Sequence, residues 1–265
     1  MISDITFGQY IDTSSFIHKL DPRLKLLILI AYIVFLFIID NFVSMAILMS
    51  FLILAVIVSK ISVKMYLKNI KAILPIIILT SLLNVFYTSG GKVLFDWWIL
   101  TVTSNGIYRA CFMTVRIILL ILSSAVLSYT TSPTSLTGAI ESLLKPLKYI
   151  GLSGAVHTMA MTMTIALRFI PTLIEETQKI MNAQKARGAD LDSGNLIQKV
   201  KALLPILIPL LISSVRRAYE LAEAMECRCY CGGEGRTKYR IMKYGIRDAV
   251  AFAVTVFVCC ASVIF

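Results

Sequence analysis

The sequence has too little charge to cover the surface of a water-soluble domain. Only 15% of its 265 residues are charged, whereas 58% are hydrophobic, and the mean hydropathy is +0.82. Soluble globular domains carry about 25% charged residues. The composition therefore excludes a soluble domain and predicts an integral membrane protein.

The motifs of catalysis and of metal binding are missing as well. The chain has two histidines, and it has no cluster of carboxylates, no nucleophile beside a base and no GxxxxGK[ST] phosphate-binding loop. Its six cysteines form no CxxC pair, so they predict neither a disulfide framework nor a zinc site. The sequence thus predicts no catalytic residue, no metal ligand and no cofactor, and any ATP that it exploits must be bound by partners.

Five apolar runs are long enough to cross a bilayer, which takes about 20 residues. They lie near residues 24–39, 42–58, 72–88, 107–131 and 246–265. With the N-terminus in the cytoplasm, 23 of the 26 lysines and arginines lie on the cytoplasmic side, which is the arrangement that the positive-inside rule favours. This rule also accounts for the net charge of +11 without a nucleic-acid partner.

Residues 132–245 are too long for a loop and too apolar for an ordinary soluble domain. Two stretches in this segment begin apolar and become polar, which predicts two helices of about 30 residues, each roughly 45 Å long, that lie against the membrane. The 13-residue apolar run 203–215 suits an interfacial helix better than a span. Prolines inside the stretches are expected to bend the helices, namely Pro171, Pro205 and Pro209.

Each stretch ends in an arginine between two small residues, Ala186-Arg187-Gly188 in the first and Cys227-Arg228-Cys229 in the second. One such arginine is explained by the helix dipole, with Gly188 as a left-handed cap. Two copies favour docking, because an exposed arginine can form bidentate bonds to carboxylates of a partner. Since residue 229 is not glycine, the pair Gly232-Gly233 is an alternative end for the second helix.

Several stretches along the chain together resemble one family. They are Ser15-Phe16-Ile17-His18-Lys19-Leu20-Asp21-Pro22-Arg23-Leu24-Lys25, Thr131-Ser132-Pro133, Ala166-Leu167-Arg168-Phe169-Ile170-Pro171-Thr172-Leu173 and the two arginine triplets. The combination resembles the transmembrane T component of energy-coupling factor (ECF) transporters, which import vitamins and metals in prokaryotes. The second triplet departs from the family pattern, in which alanine and glycine usually flank the arginine.

The resemblance implies an all-α integral membrane protein of a prokaryotic inner or plasma membrane, with about five transmembrane helices and a cytoplasmic-side coupling domain of long amphipathic helices. The expected regions are a four-span bundle at 1–131, the coupling domain at 132–245 and a C-terminal span at 246–265.

The resemblance also implies roles for particular residues. Two ABC-type ATPase subunits are expected to dock at Arg187 and Arg228 with their neighbours Ala186, Gly188, Cys227 and Cys229, and the coupling helices are expected to be supported by Arg168, Pro171, Pro205 and Pro209. A separate S component is expected to bind the substrate, a vitamin or micronutrient. The chain itself is then a non-catalytic energy-coupling subunit.

Two alternatives belong to other classes. A stand-alone secondary transporter usually has ionisable groups inside the membrane and paired broken helices, but no Asp or Glu lies in the middle of any predicted span. A membrane-embedded enzyme needs the clustered catalytic residues that are missing here.

Overall fold

A computed structural model describes residues 10–87, 93–97, 100–146, 153–189, 196–232 and 244–264. Its elements are α1 (Pro22–Ile38), α2 (Phe42–Ser59), α3 (Val63–Tyr87), β1 (Val93–Trp97), β2 (Leu100–Thr103), α4 (Ser104–Thr130), α5 (Pro133–Leu143), α6 (Ser153–Ala186), α7 (Leu196–Glu226) and α8 (Ile246–Ile264). The all-α class is confirmed, with one addition. Strands β1 and β2 form a short antiparallel hairpin, with Val93 opposite Thr103, that the hydropathy pattern does not predict.

The chain divides into two compact units. The bundle unit contains α1 to α4, the β hairpin and α8, and the arm unit contains α6 and α7. The short helix α5 begins in the bundle unit and ends in the arm unit. We refer to α6 and α7 below as the two arms.

Among the described residues, five helices are long and apolar enough to cross a membrane: α2, α3, α4, α8 and the part of α7 from Lys201 to Glu226. The first four agree with predicted spans. The fifth predicted span is α1, whose 17 residues stand at the lower limit of about 17–25 residues for a transmembrane helix. The 13-residue run 203–215 is by itself shorter than a span. Helix α7 is nevertheless long enough to cross a membrane, because it continues beyond that run to Glu226.

The core of the bundle unit lies between α1, α2 and α4. Its buried members are Tyr32, Leu36, Ile39, Met45, Leu48, Leu52, Phe112 and Leu119. Many other apolar side chains of the bundle are exposed, including Ile57 on α2 and Phe257 on α8. An exposed apolar surface of this kind is compatible with a lipid environment, in which apolar groups need no burial in protein.

Buried charged side chains join the helix ends of the bundle unit. The Asp248 carboxylate, at the start of α8, accepts hydrogen bonds from the backbone N–H groups of Asp21 and Gly245, each at 2.8 Å. The Lys25 ammonium donates to the Thr130 carbonyl at 2.9 Å and to the Thr131 hydroxyl at 3.3 Å. These contacts bring together the beginnings of α1 and α8 and the end of α4.

Helix α1 is closed at both ends by side chains. At its start, Pro22 is the first helical residue and the Asp21 carboxylate accepts the N–H of Arg23 at 2.9 Å, which is a typical N-cap. At its end, buried Arg116 of α4 donates through Nη2 to the Ile39 carbonyl at 2.5 Å. The Arg116 guanidinium also lies 4.8 Å from the centre of the Phe112 ring, a favourable cation–π distance.

The segment before α1 is ordered around His18. The Ser15 hydroxyl lies 2.6 Å from Nδ1 of the ring, and the Ile11 carbonyl lies 2.9 Å from Nε2. Partial burial lowers the pKa of His18 below its usual value, because desolvation disfavours the charged imidazolium. His18 therefore acts as a neutral structural residue at neutral pH.

The contacts of Asp248 generate a prediction about stability. Replacing Asp248 by Ala leaves two backbone N–H groups without an acceptor, at a cost of about 1–3 kcal/mol for each group that stays unsatisfied. We expect a clearly lower midpoint of thermal unfolding in detergent. The matched control is Asp40→Ala, because the Asp40 side chain is 93% exposed and lies 3.9 Å from Arg116, so that its loss should change the midpoint little. Equal losses in the two variants would show that the Asp248 contacts do not stabilise the bundle.

Candidate functional site

Helix α6 ends in a Schellman motif, in which two backbone hydrogen bonds close the last turn. The N–H of Ala189 donates to the Gln184 carbonyl at 3.0 Å, and the N–H of Gly188 donates to the Lys185 carbonyl at 2.9 Å. Gly188 has a φ of 85°, the left-handed conformation that this motif requires. Arg187 is therefore the residue at the C-cap.

Helix α7 ends in the same way. The N–H of Tyr230 donates to the Met225 carbonyl at 3.1 Å, and the N–H of Cys229 donates to the Glu226 carbonyl at 2.8 Å. Cys229 takes the left-handed position of Gly188, with a φ of 53°. Arg228 is thus at the C-cap of α7, in the position that Arg187 has in α6.

This geometry corrects the alternative end predicted for the second helix. The helix ends before Cys229 and does not continue to Gly232, although Gly232 also has a positive φ of 91°; Gly233 lies outside the described residues. A left-handed non-glycine residue costs about 1–2 kcal/mol. Two hydrogen bonds to otherwise unpaired carbonyls of the last turn offset that cost.

The residues at both caps are open to solvent. Exposed positions are Ala186, Arg187, Gly188, Cys227, Arg228 and Cys229. Neither arginine side chain has a hydrogen bond or an ion pair within the described parts of the chain. No group of three or more His, Cys, Asp or Glu in those parts could hold a metal ion, and this includes the exposed cysteines beside Arg228.

The two arms pack side by side, and their chains run in opposite directions. Glu176 of α6 forms an ion pair with Arg217 of α7, with Oε2 and Nη2 2.7 Å apart, and it also accepts a hydrogen bond from the Ser213 hydroxyl. Further along α6, the Gln184 amide donates to the carbonyl of Pro205, at 3.5 Å. From Glu176 to Gln184 of α6, the contacted residue of α7 moves back from Arg217 to Pro205. The arms are therefore antiparallel. Arg187 and Arg228 therefore lie at opposite ends of the pair and are not brought together.

The prolines predicted to support the arms lie inside helices that continue on both sides of them. Proline has no N–H, so the carbonyl four residues before it lacks its usual helical partner. Pro209 in this way frees the carbonyl of Pro205, which accepts the hydrogen bond from Gln184. Arg168 is exposed on α6, three residues before Pro171.

Sequence reasoning did not identify Glu176, Ser213, Arg217 or Gln184 as residues of the site. One signal was present, since Glu176 precedes Arg187 by eleven residues and Arg217 precedes Arg228 by the same number. That spacing becomes informative only when the arms are known to pack against each other.

The bundle and the paired arms define a multi-pass α-helical membrane protein. A family model described as CbiQ, cobalt transport protein, matches residues 13–239. The energy-coupling factor transporter transmembrane protein EcfT of Clostridium kluyveri is 51% identical over 265 residues, which cover 100% of this chain and 97% of the relative. The proteins of the same name from Thermosediminibacter oceani and Lactococcus lactis are 47% identical over 252 residues (95% and 94% of the two chains) and 41% identical over 249 residues (94% and 93%). The chain therefore belongs to this family, as an EcfT-type transmembrane component of an ECF transporter, and the resemblance noted from its motifs is confirmed.

The caps generate a prediction that separates backbone strain from packing. A Cβ atom at Gly188 or at Gly154 of α6 would meet nothing within 4 Å, but only Gly188 has a positive φ. Gly188→Ala should therefore weaken the α6 cap by about 1 kcal/mol, whereas Gly154→Ala should not. Cys229→Gly should strengthen the α7 cap by a similar amount, because glycine has no left-handed penalty.

Hydrogen–deuterium exchange of peptides from the ends of the arms measures both effects. One kcal/mol corresponds to about a fivefold change in the exchange rate of amides that open locally. If Gly188→Ala left exchange at residues 181–189 unchanged, the left-handed cap would not be a stabilising feature of α6.

Proposed function

We propose that this chain is the non-catalytic energy-coupling subunit of an ECF-type ABC importer, with one partner ATPase subunit bound at Arg187 and a second at Arg228. A separate S component binds the substrate, a vitamin or another micronutrient. The observation that supports this proposal most directly is the presence of two arms that end in the same Schellman motif, each with an exposed arginine at the C-cap.

The chemistry of the caps fits docking on acidic grooves. The guanidinium group is planar and always charged, and it can bind a carboxylate through two parallel hydrogen bonds. The neighbours of each arginine are small, with Ala186 and Gly188 in one cap and Cys227 and Cys229 in the other. Small neighbours allow a helix end to approach the walls of a groove closely, as in the helix-in-groove mode of recognition.

The direction of the arms favours two partner subunits over one. Since α6 and α7 are antiparallel, their caps lie at opposite ends of the pair, so that two separate subunits can each hold one cap. In the proposed mechanism, closure of the ATPase pair moves the two caps, and the arms transmit the movement to the membrane bundle and the S component. ATP is hydrolysed by the partners, which agrees with the lack of a phosphate-binding loop motif in this sequence.

The alternative classes have no comparable support. A secondary transporter would use ionisable groups inside the membrane for its substrate or coupling ion. The buried acidic residues in the described bundle, Asp21 and Asp248, lie at helix starts and accept hydrogen bonds from backbone amides. They are therefore explained by structure.

Removal of both arginines tests the docking proposal. Loss of an arginine that pairs with a buried carboxylate costs about 2–5 kcal/mol, much of it because the carboxylate is left unpaired. The double variant Arg187→Ala/Arg228→Ala should lose the ATPase subunits when the tagged chain is purified gently from its host membrane, and it should lose uptake. The matched control is Arg216→Ala, which removes an exposed arginine from the middle of α7.

Mass spectrometry of the purified complexes gives the readout. We expect two ABC-type ATPase subunits and at least one small membrane protein with the unchanged chain and with the Arg216 control. Full recovery of the ATPases together with full transport by the double variant would contradict the docking proposal.

The proposed orientation has the N-terminus and the arms in the cytoplasm of a prokaryotic cell, on the basis of the positive-inside rule. It predicts that the α1–α2 turn faces outward and that the α2–α3 turn faces inward. In a chain without other exposed cysteines, a membrane-impermeant maleimide should label Asp40→Cys in intact cells. Ser62→Cys, at a position in the α2–α3 turn that is also exposed, should react only after permeabilisation. The reverse pattern would invert the topology.

A further inference from the structure

We propose that the Glu176–Arg217 ion pair, together with Ser213 and Gln184, positions the two arginine caps relative to each other. The inference rests on the proposed function, in that the spacing of the caps matters when partners dock on them. These four residues, which we call the crossing contact, are positioning residues and do not touch a partner themselves.

The centre of the crossing contact is the Glu176 carboxylate, which has an ion-pair contact at one oxygen and a hydrogen bond at the other. Oε2 of Glu176 lies 2.7 Å from Nη2 of Arg217, and Oε1 accepts the hydroxyl of Ser213. Only 19% of the Glu176 side chain and 35% of the Arg217 side chain is exposed. Ser213 and Arg217 are four residues apart, so they lie on the same face of α7. A partly buried carboxylate held from two positions of one helix face has little freedom to slide along that helix.

The ion pair lies at the same distance along each arm from the arginine at its cap. Glu176 lies eleven residues before Arg187, and Arg217 lies eleven residues before Arg228. At a rise of 1.5 Å per residue, each cap is about 16 Å from the ion pair. Because the arms are antiparallel, the caps extend from it in opposite directions. A turn of one arm against the other at the ion pair therefore displaces the two caps by similar amounts.

A second contact restricts such a turn. Gln184 lies eight residues beyond Glu176, about 12 Å along α6, and donates to the Pro205 carbonyl that Pro209 leaves without a helical partner. One contact between two crossing helices leaves their angle free, whereas two contacts at different heights restrain it. Gln184 is also the residue whose carbonyl accepts the N–H of Ala189 in the α6 cap. The crossing contact therefore extends to the cap that carries Arg187.

The distance between the caps can be measured in the full-length chain in detergent or nanodiscs. Spin labels at the native Cys227 and at Ala186→Cys occupy the same position in the two Schellman motifs, and both residues are exposed. The remaining exposed cysteines are replaced by serine, and pulsed electron paramagnetic resonance gives the distribution of distances. A slide of one arm along the other by one helical turn changes the distance between the labels by about 5 Å, which this method resolves, and a turn of one arm out of the antiparallel alignment shortens that distance.

We expect Glu176→Ala and Arg217→Ala to shift or broaden the distribution. The exposed neighbours Glu175 and Arg216 provide matched controls, because Glu175→Ala and Arg216→Ala remove the same charges one residue away and should leave the distribution unchanged. The charge swap Glu176→Arg with Arg217→Glu should restore the narrow distribution, which a merely destabilising effect of the single changes would not allow. Where Glu176→Ala fails to fold, Glu176→Gln retains an acceptor for Ser213 and removes only the charge.

Two results would overturn the inference: single variants that keep the original distribution, or a charge swap that stays as broad as the single variants. Binding of the ATPases is measured separately on the unlabelled chain, because the labels lie in the docking caps, and this separates the test from that of the proposed function. Failure of the unchanged chain to bind ATPases would remove the proposed function, and the distances would still report whether the ion pair positions the caps.

Discussion

The structure depends on the pairing of backbone groups at helix ends in surroundings that offer little water. A buried N–H or C=O without a partner is costly, and the cost is greatest in a membrane. Among the described residues, four charged side chains are buried, and each binds a backbone group at a helix end: Asp21, Lys25, Arg116 and Asp248. Charge inside this bundle therefore stabilises helix ends. Two stretches that carry the family resemblance contain partners in these bonds, since Asp21 and Lys25 belong to one of them and Thr131 to the other.

The same rule explains the contacts between the arms. Pro209 deprives the Pro205 carbonyl of its helical donor, and Gln184 of the other arm supplies a replacement. At the ends of the arms, where the last carbonyls lose their partners, the Schellman motif supplies backbone donors. The rule is strong enough at the second cap to hold Cys229 in a conformation that side chains disfavour. The carbonyl freed by Pro209 thus contributes a contact between the arms, and the hydrogen bonds at the helix ends fix the backbone at the two arginines.

Hydropathy predicts the features that depend on long apolar runs. The helical class and the spans that correspond to α2, α3, α4 and α8 were predictable from the sequence. The α6 cap was also predictable, because Gly188 adopts a left-handed conformation without a steric penalty. The antiparallel pairing of the arms was not predictable, since it depends on contacts such as Glu176–Arg217 between residues far apart in sequence. The end of α7 was left open between Cys229 and Gly232-Gly233 for a related reason. Propensity disfavours a left-handed cysteine, and only the pattern of backbone hydrogen bonds outweighs it.

A capped arm is well suited to the proposed coupling role because its end is already ordered before a partner binds. Docking a flexible segment costs conformational entropy for every residue that becomes fixed, and this cost reduces the affinity. Here the backbone around each arginine is fixed by two hydrogen bonds, so binding has to order little more than the arginine side chain itself. An ordered end also passes on displacement, because no proline interrupts α6 between Glu176 and Arg187 or α7 between Arg217 and Arg228. If ATPase closure moves the caps, the movement reaches the crossing of the arms about 16 Å away with little loss. The small residues beside each arginine leave its side chain accessible, and the hydrogen bonds of the cap keep the helix end ordered. Both features favour an arginine that binds a partner and transmits its movement to the helix.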